Sequence, residues 1–587
     1  MDLLRNKFWR VNLCFAIICL VGLTILGRAF YIQQVEGKYW KSLDDSLHLK
    51  YIATDAKRGN IYSEDGLLLS EDIPIFDLFI DFSADGLAEK NGKRFWENVD
   101  SLSYYLSGFF NDKTSNEYKK ELTLAFTQKD RYYSFKKKLS LYDKNTLSRF
   151  PLIKLGKNKS GFIFEAYFKR VNHYSPYALR TIGLARGDNK NNVGLEKNYD
   201  SILRGTNGNQ LVRYSLGSYK PIEEMGDGGI NGYDISTTID SYLQFVTHEA
   251  LNTMMVGNNS LWGTAIVMET QTGKIKAIAN LGKQANGTYY EDLNYAIAKS
   301  IEPGGTFTIA TLLSLLEDNF VSINTSVDCE GGSKIFYGLK ISDSHLGAQI
   351  LTLKEAFARG SNVAFAKLAD KYYHENPLKF VSYLQKIGLD TLTGIDIIAA
   401  SAKPYIKKPN NRKTWANTTI PYMAHGYELL LTPMHLIMLY NAIANNGKMM
   451  KPYLVNKVSD SGDVITSFTP KVFAPRICSD KTLAQVKECL LAVVGSESGT
   501  AKRLYNPLYQ IAGKTGTAVV AINNKGYNKG YKAYLASFIG YMPANKPKYT
   551  IAVVIQSNRE SKLVYGADVA GTVFREIADN IYETLPK

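Results

Sequence analysis

The first strong feature in the pattern of apolar and polar positions is an unbroken apolar run. Phe8 to Leu26 is apolar apart from Arg10, Asn12 and Thr24, and it continues into Ala29-Phe30-Tyr31-Ile32. That is about the ~20 residues a helix needs to cross a bilayer core. Arg5, Lys7 and Arg10 precede it and Arg28 alone follows closely, which predicts a cytoplasmic tail over residues 1–7. A cleaved signal peptide is the alternative. Gly27-Arg28-Ala29 is a poor small-x-small cleavage site and the run is longer than a usual signal core, so the pattern predicts an uncleaved anchor over 8–32. No second run of that length follows, so the rest of the chain is expected outside the cytoplasm.

Beyond the anchor the periodicity predicts a short amphipathic helix over 39–50. Residues 58–66 alternate and then turn at Asp65-Gly66, a hairpin signal, with strands expected over 67–69 and 76–82. From Gly92 to Lys157 the chain turns polar, Lys-rich and Tyr-rich with helical spacing. This stretch holds a literal Ser-x-x-Lys, Ser134 to Lys137, which is expected on a solvated helix face because no Pro-Gly breaker precedes it. Strands are predicted over 264–268 and 275–279, joined by a turn at Thr272-Gly273-Lys274. Pro303, Gly304 and Gly305 are breakers. The apolar positions Phe307, Ala310, Leu312, Leu313, Leu315 and Leu316 after them predict a buried helix that stops near Asn319. Residues 511–518 read as a strand of small residues that a ligand backbone can approach closely, followed by strands over 537–543 and 549–555 and a last helix near Phe574.

Composition narrows the class without naming it. The chain has 587 residues, 45% hydrophobic and 21% charged, an ordinary globular balance with room for two or more domains. The net charge of +15 comes with no nucleic-acid motif, and Lys and Arg are spread along the chain, so an anionic membrane surface or cell-wall polymer is the better-suited partner. Five Cys form no disulfide framework. Cys478 and Cys489 could pair outside the cytoplasm, though two reduced core thiols are the commoner case. The seven His are scattered and support no metal site, and nothing calls for a cofactor.

Several signatures recur in a fixed order: Arg58-Gly59-Asn60-Ile61 to Gly66; Arg170 to Pro176; Gly194-Leu195-Glu196 with Gly205 and Gly208; Asn231 to Asp240 with Gln244; Glu302-Pro303-Gly304-Gly305-Thr306-Phe307-Thr308; Gly360-Ser361-Asn362-Val363; His425-Gly426-Tyr427; Leu431-Thr432-Pro433; and Lys514-Thr515-Gly516-Thr517. Together they resemble the class B penicillin-binding proteins, of the division-specific FtsI type, over nearly the whole chain outside 92–157. The resemblance implies an α+β fold: an N-terminal transmembrane helix, an extended, mostly-β pedestal, and a transpeptidase domain related to serine β-lactamases, with an antiparallel sheet flanked by helices. It divides the chain into a tail (1–7), an anchor (8–32), a pedestal or dimerisation domain (33–230) with a variable insertion near 92–157, and a transpeptidase-like domain (231–587). It implies a single-pass protein of the cell inner membrane whose bulk is periplasmic or extracytoplasmic. Its implied partners are peptidoglycan stem peptides, a glycan-polymerising membrane protein, division-complex proteins and β-lactams held non-covalently.

In the family a Ser opens the helix as nucleophile, a Lys one turn on is its base, and a Ser-x-Asn turn helps move the proton. Here those positions are Gly305, Thr308 and Gly360, so all three chemical groups are replaced while the frame survives. Ser361, Asn362, Lys514, Thr515, Gly516 and Thr517 remain as expected substrate-binding residues. Thr306 is expected to point away from the cleft. Thr308 is expected on the correct face, with only a distant Lys514 as base, and a hydroxyl restored at 305 alone would lack its base. The first functional reading is therefore an inactive pseudo-transpeptidase acting as scaffold or regulator in cell division. The second is an active peptidoglycan D,D-transpeptidase using a non-standard nucleophile. A decayed gene is a third, bland alternative.

Overall fold

The computed structural model describes residues 2–185, 192–215, 218–227, 229–397, 400–520 and 533–585. Met1 of the expected tail and the last two residues of the expected C-terminal domain lie outside the described residues. The chain divides into two compact units. The first comprises Met1–Lys57, Pro74–Tyr167 and Gly205–Asn231, and the second Arg58–Ile73, Phe168–Arg204 and Gly232–Lys587.

The first unit begins with a helix over Asp2–Gln34. Its Phe8–Gln34 portion is the only helix among the described residues long and apolar enough to cross a membrane. Phe15, Ile18 and Leu23 on it are each more than 65% exposed, as a lipid-facing surface requires. The amphipathic segment forms a helix over Gly37–His48. The strand Leu49–Thr54 pairs antiparallel with Gly208–Ser215, which pairs in turn with Ser218–Asp227.

The insertion has its own apolar core. Phe82, Phe95, Leu102, Leu106, Tyr118, Leu122 and Phe135 are buried together. Helices over Asp85–Phe110 and Ser115–Gln128 supply most of it, and a reciprocal Thr114–Glu117 capping box starts the second. One expectation fails here. Ser134 to Lys137 lies in a strand, Tyr133–Leu139, which pairs with Phe76–Ile80 and leaves Ser134 exposed. The antiparallel pairing with Phe76–Ile80 fixes that strand, and the Lys residues between buried Phe135 and Leu139 mark a half-solvated strand and not a helix face. Helices thus dominate residues 85–128, whereas strands dominate residues 49–80 and 162–172.

In the second unit, Ile61–Tyr62 pairs antiparallel with the strand that starts at Leu68 and parallel with Asp234–Thr237. Gly66 (φ 89°) makes the turn. A Cβ on Gly59 would lie 1.9 Å from the Tyr233 carbonyl oxygen, so the Arg-Gly signature needs its glycine for close approach. The Arg and Glu signatures converge on one buried ionic cluster. Arg58 Nε contacts Glu196 Oε2 at 2.7 Å and Arg58 Nη1 contacts Asp200 at 2.7 Å, while Arg170 Nε contacts Glu196 Oε1 at 2.6 Å. Arg58 N–H also donates to Asp72. Four separate stretches of chain are tied through charges that would be costly to bury unpaired.

The large sheet of this unit uses β1 (Trp262–Glu269), β2 (Ile275–Lys283), β3 (Tyr289–Tyr290), β4 (Ala512–Val520), β5 (Ala533–Met542) and β6 (Tyr549–Gln556). Its order is β3-β2-β1-β6-β5-β4, antiparallel throughout. Nearly every position of β1, β5 and β6 is buried, so both faces are covered. The helices Ser241–Gly257 and Ala570–Thr584 pack on one another and on the sheet, and the wholly buried Pro433–Ala444 packs on β1, β5 and β6. As the last strand in this order, β4 leaves one edge open, and it carries Lys514 to Thr517.

Candidate active site

The breakers at Pro303–Gly305 produce a single 3₁₀ turn over Gly304–Phe307, which runs directly into the helix Thr308–Glu317. Every residue of that helix from Thr308 to Leu316 is buried, and Asn319 (φ 55°) ends it in a left-handed turn. The second motif sits between two helices, as expected. Leu353–Arg359 ends at Gly360 (φ 72°), and Ser361 caps Asn362–Tyr373 by accepting a hydrogen bond from Ala364 N–H.

Three elements enclose a cleft of about 260 Å³ lined by Gly305, Gly360, Asn362, Lys514, Thr515 and Thr517, among others. The three motifs therefore meet. A Cβ on Gly305 would lie 3.8 Å from Lys514 Nζ and 2.9 Å from the Thr515 carbonyl oxygen. A Cβ on Gly360 would lie 3.5 Å from the same Nζ. Lys514 is thus adjacent to Gly305, and the expectation that it lies at a distance is corrected: folding the edge strand against the 3₁₀ turn brings together residues 209 apart in the chain. Gly516 makes this approach feasible, because a Cβ there would lie 3.1 Å from Thr306 Cγ2 and 2.4 Å from Ser537 Oγ.

The hydroxyls of the two threonines that follow Gly305 in this turn are already engaged. Thr306 Oγ1 donates to the Pro303 carbonyl at 2.9 Å, and Thr308 Oγ1 donates to the Gly305 carbonyl at 2.7 Å. Thr308 is 3% exposed and does not line the cleft. Thr515 Oγ1 donates to Thr500 Oγ1, which donates to the Ala358 carbonyl, and Thr517 Oγ1 accepts from Gly566 N–H. Among the described residues, no hydroxyl lining the cleft is hydrogen-bonded to a Lys, a His or a carboxylate.

Lys514 is 2% exposed, and burial pushes its ammonium down to about 8, with no acidic neighbour to offset it. Its Nζ donates to the Thr515 carbonyl at 3.1 Å and lies 5.6 Å from the Phe357 ring centre. Asn362 faces the cleft and donates to the Ser342 carbonyl. Ser361 is buried outside the cleft lining, its Oγ donating to Asp343 Oδ2 at 2.7 Å. Burial raises the Asp343 carboxyl above its ordinary range, against the hydrogen bonds from Val363 and Ser361. Arg359, Thr500, Lys502, Arg503 and Asp568 also line the cleft, and none had a signal in the linear pattern. Asp568 is paired with Arg503, so the lining carries an excess of positive charge suited to a carboxylate ligand.

An open edge strand above a cationic cleft can take up an extended peptide. Acyl transfer also needs a nucleophile beside a base. Against known proteins, the penicillin binding protein transpeptidase domain model matches residues 263–579, and the penicillin-binding protein dimerisation domain model matches residues 53–237. The chain is a class B penicillin-binding protein. It is 24% identical over 590 residues to the peptidoglycan D,D-transpeptidase FtsI of Escherichia coli (strain K12), covering 98% of this chain and 92% of that protein. It is 25% identical over 433 residues to the stage V sporulation protein D of Bacillus subtilis (strain 168), covering 71% of this chain and 64% of that protein. Among solved structures, penicillin binding protein 2X from Streptococcus thermophilus shares its fold, with a TM-score of 0.73 at 21% identity over 91% of this chain and 80% of that one.

Proposed function

We propose that this class B penicillin-binding protein is a membrane-anchored pseudo-transpeptidase, acting as scaffold or regulator in peptidoglycan synthesis at division. One observation carries the reading. Gly305 stands where the attacking hydroxyl belongs, and the hydroxyls of Thr306 and Thr308, which follow it in the same turn, are both spent on backbone carbonyls. Removing a Ser nucleophile from a catalytic unit costs roughly 10⁶ in turnover in a well-studied protease. The hydrogen bond from Thr308 to Gly305 also weighs against an unorthodox nucleophile, because that hydroxyl has no base beside it.

On this reading Lys514 to Thr517 with Asn362 hold a stem peptide or a β-lactam without bonding to it, and Ser361 steadies the turn. The domain allocation is a tail (1–7), an anchor (8–32), a pedestal (33–230) and a transpeptidase-like domain (231–587). The N-terminus is cytoplasmic, from the charge flanking the apolar helix, and the bulk lies outside the inner membrane. The anchor and pedestal hold a glycan-polymerising membrane partner and other division proteins. Labelling membranes with a fluorescent penicillin tests this. The band of this chain stays unlabelled after denaturing electrophoresis, and a retained label on it overturns the reading.

A further inference from the structure

A second concave site in the same unit shares no lining residue with the cleft. It is a pocket of about 280 Å³ walled by Tyr199, Gly394, Asp396, Lys451, Phe468 and Lys471, among others. The strands Val455–Asp460 and Asp463–Ser467 form a hairpin that turns the chain back on itself. Phe468 N–H then donates to the Asn456 carbonyl at 2.8 Å, and Lys451 N–H donates to the Lys471 carbonyl at 2.8 Å. The hairpin thereby sets two lysines at one pocket, Lys451 half-buried and Lys471 exposed. Gly394 (φ 73°) clears the path of the first, because a Cβ there would lie 2.9 Å from Lys451 Cε.

Among the described residues neither lysine forms an ion pair. The pocket's one carboxylate is engaged elsewhere. Asp396 Oδ1 accepts from Leu454 N–H at 2.8 Å, and Oδ2 accepts from Val455 N–H at 3.0 Å and from the Tyr199 hydroxyl at 3.1 Å. The lining therefore keeps a net positive charge. Beside the lysines, the half-buried rings of Tyr199 and Phe468 stand edge to face with centres 6.4 Å apart, and they give the pocket an apolar wall. Two ammonium groups at one pocket match a dianion better than a single carboxylate, and a phosphate monoester carries about −1.5 to −2 at pH 7. The volume is at the small end for ligand sites, which suits one ring and not a chain. We propose that this pocket binds a small phosphorylated ring compound, its phosphoryl group between Lys451 and Lys471 and its ring against Tyr199 and Phe468. The inference stands whether or not the cleft is catalytic.

The test titrates the full chain in detergent, in a phosphate-free buffer, with phenyl phosphate, inorganic phosphate, benzoate and glucose 1-phosphate. Phenyl phosphate binds, and inorganic phosphate and benzoate each bind about tenfold more weakly, the first lacking the ring and the second the extra charge. Glucose 1-phosphate also binds, and its rank against phenyl phosphate tells a sugar ring from an aromatic one. Lys451→Met and Lys471→Met, each checked for an unchanged melting temperature, weaken phenyl phosphate about tenfold. Phe468→Ala narrows the gap between phenyl phosphate and inorganic phosphate. Lys471 is exposed, so its substitution is readable even where the loss of Phe468 lowers the melting temperature. The cleft is also cationic, and Lys502→Met with Arg503→Met serves as its control, with phenyl phosphate binding unchanged. Binding that survives both substitutions at Lys451 and Lys471, or that is lost with Lys502 and Arg503 instead, overturns the proposal. So does the absence of phenyl phosphate binding, or benzoate binding as tight as that of phenyl phosphate.

Discussion

Restoring one hydroxyl tests how much of the catalytic frame survives. In Gly305→Ser the new Cβ lies 3.8 Å from Lys514 Nζ, which places the hydroxyl within hydrogen-bond reach of that amine. The same Cβ lies 2.9 Å from the Thr515 carbonyl oxygen, so the 3₁₀ turn must shift by a few tenths of an ångström to accept it. A lysine must be neutral to act as base. With Lys514 held near 8 by burial, the neutral fraction is about 10% at pH 7 and about 90% at pH 9. The variant should therefore acylate slowly with penicillin, at a rate that rises about tenfold from pH 7 to pH 9 and then levels. Adding Lys514→Met should remove a further 10²–10⁴-fold, the usual worth of a general base. The assay is stopped-time fluorescent penicillin labelling of protein whose melting curve matches the parent. A folded Gly305→Ser that fails to acylate between pH 7 and 9, or that acylates at a rate independent of pH, would refute the role given to Lys514.

Arg58→Met leaves Glu196 ion-paired with Arg170 alone and takes the Arg58 partner from Asp200, and should lower stability by about 3 kcal/mol, read as a fall in the urea midpoint; an unchanged midpoint would show that the Arg58 contacts are dispensable. Cys478 and Cys489 are both free and buried, and burial pushes each thiol up to about 12, so neither should react with iodoacetamide until the protein is unfolded. In a depletion strain, replacing Phe8–Leu26 with an unrelated spanning helix should abolish complementation while Lys514→Ala has the milder effect. The reverse pattern would make the cleft the working part.

Local features were legible in the sequence because they rest on local chemistry. Breakers before an apolar run set the 3₁₀ turn and the buried helix at 304–317, and small residues marked the open strand at 512–520. Thr308 was expected on the face toward the cleft, but it does not line the cleft, and its hydroxyl is tied to the Gly305 carbonyl. What depends on contacts far apart in the chain was hidden. Nothing in the spacing says that Lys514 lies beside position 305, or that Arg359 and Thr500 share its cleft. Arg58, Arg170 and Glu196 were visible as signatures, and only folding revealed them as one ionic cluster. Two separate strands were expected over 67–69 and 76–82. Instead one strand runs from Leu68 to Ile80, with its pairing partner changing from Ile61–Tyr62 to Tyr133–Leu139 along its length. The strand at 133–139 was mistaken for helix because its buried positions, Phe135 and Leu139, are four residues apart, a helical spacing.

The central claim is that this cleft binds without forming a bond. Intact-mass spectrometry of the purified full chain after prolonged incubation with penicillin addresses it most directly. The account predicts the unmodified mass at every time point. A stoichiometric gain of one antibiotic, mapped by peptide sequencing to Thr306 or Thr308, would contradict it.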